Sequence, residues 1–380
     1  MPTRTPSRIS LVTLLVTLVL VACSGVAAAN SGPPTMAGDK SGLLLPGKSS
    51  QMHVLREYLR FDLSKETTEA TVSARYEMEN RGQALKDYAV IFVWQARRGA
   101  SASPVVTWNG QPVRSQTLDL SPLSGAELQQ METAWSAMDE VVDPVTGEMV
   151  EFRSYEGNRT VTFLGFSLDV PANSTGVLQV TYEHAAAMDK TTGYLHPVYA
   201  YQYLLLPAKS WASFGPLEIE VKAPGPDESF FKSNLPLTWD GEAYRASLPG
   251  LPDQNLAFSL MSRKGVIGNW SRPAPYYWLS FLLLLAACAL LGLGLGWLAG
   301  LIRHRTWSVV TALVVALFGG GFVIFILAFG FMALFPALSS QGYGVAFAAV
   351  GETVVGTVLA AVLASVYAGR RSKRRLGISG

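Results

Sequence analysis

Three long apolar segments occupy the C-terminal part of the sequence, over residues 276–302, 307–335 and 344–368. Each is longer than the roughly 20 residues that a helix needs to cross a hydrocarbon core about 30 Å thick, and almost no charge interrupts them. The pattern predicts an all-α membrane domain of three transmembrane helices over residues 273–369. A basic tail follows over residues 370–380.

Residues 43–272 show a different period. Apolar and polar side chains alternate over 71–79, 178–183 and 217–222, which is typical of strands with one buried face. Asn109-Gly110 and Asp240-Gly241 have the composition of tight hairpin turns, and the continuous apolar run 89–93 indicates a central strand buried on both faces. We therefore predict a mainly β domain, an antiparallel sandwich built as one large or two small sandwiches.

One segment departs from the strand pattern. Residues 125–142 carry Leu128, Met131, Trp135 and Met138 at helical spacing, which predicts a short helix inserted between strands. An acidic stretch follows, up to Glu151, but its spacing is not that of a calcium-binding EF-hand loop. We interpret it as a solvated loop, and an insertion of this kind is also a place where a partner binds.

The N-terminus has the features of an export signal over residues 1–29: Arg4 and Arg8, an apolar stretch too short to span a membrane, and small residues after it. Residues 20–23 resemble the lipobox of bacterial lipoproteins, which would place a lipid on Cys23. Ordinary cleavage after Ala29 is the alternative, and residues 30–42 would then be a linker. Either signal predicts an exported domain in a bacterial cell envelope.

Charge sets the expected topology. Arg303 and Arg305 lie between the first two spans, and five basic residues follow the third, whereas the loop 336–343 has no charge. Basic loops stay in the cytoplasm, so we expect a multi-pass inner-membrane protein with its β domain outside and its C-terminus inside. The lipid bilayer is then an obligate partner. A net charge of +2 gives no reason to expect nucleic-acid binding.

Small residues recur every four positions in all three spans, which lets another helix approach closely. This spacing predicts a compact bundle, or one that docks a membrane partner or forms a homo-oligomer, through Gly292, Gly296, Gly300, Ala312, Ala316, Gly320, Gly356, Ala360 and Ala364. Glu352 extends the stripe of the third span and is the only acidic residue in the predicted bilayer. Because a carboxylate in contact with lipid is costly, we expect it to face protein, water or another chain.

No catalytic, cofactor or metal motif stands out. The four histidines lack the spacing of a zinc site, although His184 and His196 lie about a hairpin apart. We therefore expect a non-enzymatic scaffold or accessory subunit of a membrane complex, with no cofactor. The main alternative is a subunit of an oligomeric channel or transporter with Glu352 in the pathway, and an enzyme with its site on the β domain is the third hypothesis.

Overall fold

The computed structural model describes residues 35–36, 40–46, 51–97, 103–118, 140–151, 159–190, 193–302, 304–333 and 343–375. They belong to two compact units, a β unit up to Lys264 and a helical unit from Gly265 onward. The predicted export signal with Cys23 lies outside the described residues, as does most of the predicted inserted helix.

Two nine-stranded sheets make up most of the described β unit. The first sheet contains β1 (Thr35–Met36), β2 (Lys40–Pro46), β5 (Leu85–Arg97), β8 (Ser115–Leu118), β11 (Arg159–Val170), β13 (Ala187–Asp189), β14 (Val198–Tyr203), β17 (Ser229–Ser233) and β20 (Leu256–Ser262). The second contains β3 (Met52–Asp62), β4 (Glu69–Asn80), β6 (Val105–Trp108), β7 (Gln111–Pro112), β12 (Ser174–Ala185), β15 (Ser213–Phe214), β16 (Leu217–Lys222), β18 (Thr238–Trp239) and β19 (Tyr244–Leu248). A separate hairpin pairs β9 (Glu140–Val142) with β10 (Met149–Glu151), and a 3-10 helix spans Leu206–Ser210.

One hydrophobic core joins the two sheets, so the fold is one large sandwich. The ring of Phe61 in β3 lies 5.1 Å from that of Phe258 in β20, and Phe92 in β5 lies 5.2 Å from Tyr182 in β12. The apolar positions of the alternating segments are buried, as predicted. The mainly β class is therefore confirmed.

Pairing is mixed, where the sequence indicated antiparallel sheets. β3 pairs with β16 in parallel, and β14 pairs with β2 in parallel. Alternation reports which face of a strand is buried, and it carries no information about the direction of the neighbouring strand. The run 89–93 lies in β5, between β2 and β11, but Ala89 is exposed, so its outer face is only partly covered.

Three other expectations need correction. The predicted linker 30–42 contributes β1 and the start of β2, because backbone pairing with β13 and β5 does not require apolar side chains. Residues 140–142, assigned to the inserted helix, form strand β9. Asn109-Gly110 forms the expected two-residue turn with positive φ at both residues, whereas Asp240-Gly241 begins a four-residue loop between Trp239 and Tyr244.

The helical unit has three helical segments long and apolar enough to cross a membrane, at Ala274–Ala299, Arg305–Ala328 and Ala348–Arg375. The first is α1 (Ala274–Ala299). The second runs through α2 (Arg305–Val315), a π-helical stretch (Ala316–Gly320) and α3 (Gly321–Ala333), and the third lies in α4 (Tyr343–Arg375). A three-span membrane domain is therefore confirmed, although α4 continues through most of the predicted tail.

Candidate functional site

The small-residue stripes of α1 and α4 face each other inside the chain. A Cβ atom added at Gly292 would lie 2.7 Å from the carbonyl oxygen of Ala360, and one added at Gly296 would lie 2.6 Å from that of Ala364. Only hydrogen side chains allow these backbones to come so close. Gly356 is equally tight, because its Cβ would lie 2.6 Å from the Cys288 sulfur.

The middle span closes the same interface. Ala312 and Ala316 are buried in a cluster with Ala364 and Ala368 of α4, and Gly320 lies beside the side chains of Leu291 and Leu295. A Cβ at Gly300 would meet the Arg371 side chain at 2.9 Å. The stripes are thus used within the chain, which corresponds to the compact-bundle interpretation. A docking face for another membrane protein would have to lie elsewhere on the helices.

Glu352 lies in the bundle interior with only 8% of its surface exposed. The Ser280 hydroxyl of α1 donates a hydrogen bond to its Oε2 across 3.4 Å. No other acidic side chain occurs between residues 265 and 375. The carboxyl group therefore faces the protein and is shielded from lipid, with a polar contact from its own chain.

Three consecutive glycines, 319–321, mark a change in the middle span. The helix is π-helical over Ala316–Gly320 and returns to α-helix at Gly321. A π-helical turn inserts an extra residue into the helical repeat, so the faces before and after it are rotated relative to one another. Here Ala316 and Gly320 are both buried, so the stretch keeps the small residues turned toward the bundle.

A buried carboxyl group in the sandwich core was missed by sequence reasoning. Glu57 is 1% exposed, and the Tyr203 hydroxyl donates to its Oε1 across 3.2 Å. Tyr203 in turn shares a hydrogen bond of 2.9 Å with the Tyr76 hydroxyl, so the three groups connect the two sheets. Burial raises the pKa of Glu57 from 4.5 to about 7, against the opposing effect of the tyrosine hydrogen bonds.

A β-bulge turns Glu57 inward. The register of β3 with β4 shifts between Val54 and Arg56. As a result, the buried residues of β3 are even-numbered before the bulge and odd-numbered after it. Gly215 lies against the bulge, where an added Cβ would come within 2.1 Å of the Leu55 carbonyl oxygen. The sequence contains a signal for this bulge: the apolar residues Met52 and Val54 are at even-numbered positions, whereas Leu59 and Phe61 are at odd-numbered positions.

The outer face of β19, β16, β3 and β4 carries the main described surface feature. Tyr58 lies between two arginines: the Arg56 guanidinium carbon is 5.6 Å and that of Arg75 5.1 Å from its ring centroid. Arg56 also donates to the Tyr58 hydroxyl across 2.6 Å. Beside the ring is a depression of ≈ 380 Å³ lined by Tyr58, Leu59, Arg60, Glu218, Ile219, Glu220, Arg245, Ala246 and Ser247.

Ion pairs line this depression. Glu220 binds Arg60 at 3.4 Å and Arg245 at 2.9 Å, and Arg245 also pairs with Asp240. The two arginines and Asp240 are exposed and Glu220 is half-buried, so water screens each pair and each adds little to stability. Their effect is to hold a fixed pattern of charge beside an aromatic ring. We call residues 56, 58, 60, 75, 218, 220 and 245 the Tyr58 surface.

The other candidate residues are structural. His184 is buried against Phe61 and Tyr201, whereas His196 binds the Lys264 carbonyl oxygen. Tyr201 and Tyr203, whose side chains are on one strand, β14, are buried in the core and pack the sandwich. The acidic stretch is only partly the solvated loop that the sequence indicated: Glu140 and Glu151 are paired in β9 and β10, and Asp143 is buried and caps the turn between them. No group of metal-binding side chains occurs among the described residues.

Comparisons with known proteins assign this chain to no family. No family model matches the sequence, and no curated protein matches it. Among solved structures, similarity extends to a candidate nutrient binding protein from Legionella pneumophila, with a TM-score of 0.39 and 14% identity over 60% of this chain and 72% of that one.

Two further similar structures are enzymes. Leukotriene A4 hydrolase from Saccharomyces cerevisiae has a TM-score of 0.32 at 11% identity, covering 63% of this chain and 33% of that one. A two-domain M1 zinc metallopeptidase bound to L-tryptophan has a TM-score of 0.27 at 10% identity, covering 57% of this chain and 44% of that one. At such scores these likenesses carry no argument about activity. The H-E-x-x-H pattern of zinc peptidases is absent from the sequence.

Proposed function

We propose that this chain is a membrane-anchored scaffold or accessory subunit of a cell-envelope complex, whose exported β unit binds a partner protein through the Tyr58 surface. The observation that carries the proposal is Tyr58 held between Arg56 and Arg75 beside a depression with fixed charges. Tyrosine and arginine are enriched at the centres of protein interfaces, since they bury large areas and form directed hydrogen bonds.

The helical unit supports an anchoring role. Its small-residue stripes pack on each other, and Glu352 accepts a hydrogen bond from Ser280. The described helices therefore pack on one another and pair the Glu352 carboxyl group within one chain. The charge distribution favours an exported β unit and a cytoplasmic end near Arg305 and Arg370. Recognition would then belong to the β unit, and attachment to the helices.

Site-specific photo-crosslinking in membranes tests this function. A photoreactive amino acid at position 58 should give one discrete adduct, identified by mass spectrometry, whereas the same group at Gln111 should not. Gln111 is the matched control because it is exposed on the edge strand β7 of the same sheet. Identical adducts from both positions, or no adduct from position 58, would reject the Tyr58 surface.

Once the partner is identified, affinity gives a second test. Tyr58→Ala should weaken binding roughly 30-fold or more, the effect of losing an interface hot spot, whereas Tyr58→Phe should retain most of it. If the Tyr58→Ala chain bound the partner as tightly as the unchanged chain, the interface would lie elsewhere.

Glu352 favours one other function, that of a subunit of an oligomeric channel, because a buried carboxyl group in a membrane span is a frequent proton or ion ligand. Glu352→Gln keeps a hydrogen-bond acceptor for Ser280 and removes the charge. Under the scaffold proposal it leaves partner binding unchanged. Loss of ion or proton flux in reconstituted vesicles, with assembly intact, would establish the channel function instead.

A further inference from the structure

Helix α4 is longer than a membrane span. Its 33 residues extend about 50 Å at 1.5 Å per residue, whereas the hydrocarbon core is about 30 Å thick. The small-residue stripe ends at Ala368, and the helix continues without a break from Arg370 to Arg375. The basic residues are therefore held on a regular helix that emerges directly from the span.

Two of these arginines bind backbone carbonyl groups at the end of α1 and just after it. Arg371 donates to the carbonyl oxygen of Trp297 across 2.7 Å, and its guanidinium carbon lies 4.3 Å from the centroid of the same tryptophan ring. Arg375 reaches the carbonyl oxygen of Leu301 at 3.4 Å. The Trp297 carbonyl lies in the last turn of α1 and the Leu301 carbonyl just beyond it, where the ends of helices leave such groups unpaired and favour positive charge.

The remaining basic side chains have no such role. Arg370 and Arg374 are exposed, lie four residues apart on one face of α4, and have Lys373 beside them. Arg305, at the start of α2, adds a further positive charge at the same end of the helices. The only carboxylate between residues 265 and 375, Glu352, contacts Ser280 near the other end of α1. No ion pair neutralises this end of the bundle among the described residues.

We propose that Arg370, Lys373 and Arg374 form a binding surface for the phosphate groups of anionic phospholipids in the leaflet at this end of the bundle. The complementarity is one of charge and depth: the three cations follow the apolar span at once, at the level of the lipid headgroups. Each basic residue near an anionic membrane surface strengthens attachment, and the interaction falls with ionic strength. Anchoring by Arg371 and Arg375 keeps α4 from turning this face away.

Lipid retention by the full chain in neutral detergent tests the proposal. Palmitoyl-oleoyl phosphatidylglycerol and palmitoyl-oleoyl phosphatidylcholine are added at equal concentration, and bound lipids are counted by native mass spectrometry. The wild-type chain should prefer phosphatidylglycerol, by roughly fivefold for each basic residue engaged. The variant with Arg370, Lys373 and Arg374 all changed to Gln should bind both lipids equally.

Two controls separate a site from bulk charge. The charge-matched variant with Lys65, Lys86 and Lys232 of the β unit changed to Gln should keep the preference, as should the double variant Arg370→Lys with Arg374→Lys. A triple helix variant that still prefers phosphatidylglycerol would overturn the proposal, and so would a wild-type chain without preference. Displacement of the lipid by millimolar inorganic phosphate would also overturn it, because the site would then serve a soluble anion.

Discussion

The interiors of the β unit and the helical unit are built on opposite principles. Large rings from both sheets fill the sandwich, with Phe61 packed among Tyr201, Tyr203 and Phe258. In the helical unit, by contrast, α1 and α4 pack closely at Gly292 and Gly296 because these residues have no side chains. In water, burial of apolar area drives association, whereas in lipid the surroundings are as apolar as the side chains, and close packing must supply the attraction. Removing volume should therefore damage one unit, and adding volume should damage the other.

The largest effect is expected from Phe61→Ala in the sandwich. Deleting a fully buried ring leaves a cavity between the sheets and should lower the free energy of unfolding by about 3–5 kcal/mol. Urea unfolding of the detergent-solubilised chain, followed by the β-sheet circular dichroism signal, measures it. Leu55→Ala in the same strand is the control: Leu55 is 37% exposed, so its loss should cost below about 1 kcal/mol. Equal losses would contradict a core held by ring burial.

The next effect is a pH dependence of stability that arises from the core of the β unit. Between pH 4.5 and about 7, Glu57 holds its proton in the folded state but loses it in the unfolded chain, since burial raises its pKa to about 7. The free energy of unfolding should therefore fall by up to about 3 kcal/mol as the pH rises through this range. Glu57 faces Tyr76 and Tyr203, which stay neutral there because burial raises the pKa of both well above 10.

Urea unfolding at pH 4.5, 5.5, 6.5 and 7.5 measures this slope, and Glu57→Gln should flatten it. The Tyr203 hydroxyl stabilises the charged form of Glu57 and so lowers its pKa. Tyr203→Phe removes this hydrogen bond, so the pKa of Glu57 should rise and the decline should extend to higher pH. A Glu57→Gln chain with an unchanged slope would assign the pH dependence to other groups.

The smallest of the three effects comes from added volume in the bundle. Gly296→Leu places side-chain atoms where the Ala364 backbone lies, and overpacking of this kind costs about 1–3 kcal/mol. The loss of helical signal on heating in detergent measures it. Gly294→Leu is the matched control, because Gly294 is exposed on the same helix and a Cβ there meets nothing within 4 Å. If both substitutions lowered the melting temperature equally, close packing of α1 on α4 would not be what stabilises the bundle.

The sequence was most informative where one period governs a whole segment. Alternation predicted the buried faces of β4, β12 and β16, and length with apolarity predicted the three spans. Parallel pairing of β3 with β16 was not predictable, since the two strands are far apart in the sequence and either direction buries the same side chains. Glu57 was missed because a single bulged residue reverses the phase of β3.

The small-residue stripes show the same limit for contacts. Their spacing predicted a face for close packing, but a glycine stripe fits any helix with a matching surface, inside the chain or outside it. The partner was specified by geometry that spacing alone does not contain, namely the contact of Gly292 with Ala360 and of Gly296 with Ala364. Tyr58 was likewise invisible as a surface feature, because Arg75 reaches it from the neighbouring strand.

The pairing of α1 with α4 also sets an order of events during synthesis. Ribosomes add about 5–20 residues per second, so the glycines of α1 enter the membrane several seconds before Ala360 and Ala364 exist. During that interval the α1 stripe has no partner from its own chain. Chains truncated before α4 would keep this stripe without the partner that Ala360 and Ala364 supply, so α1 depends on a later part of the chain for its packing.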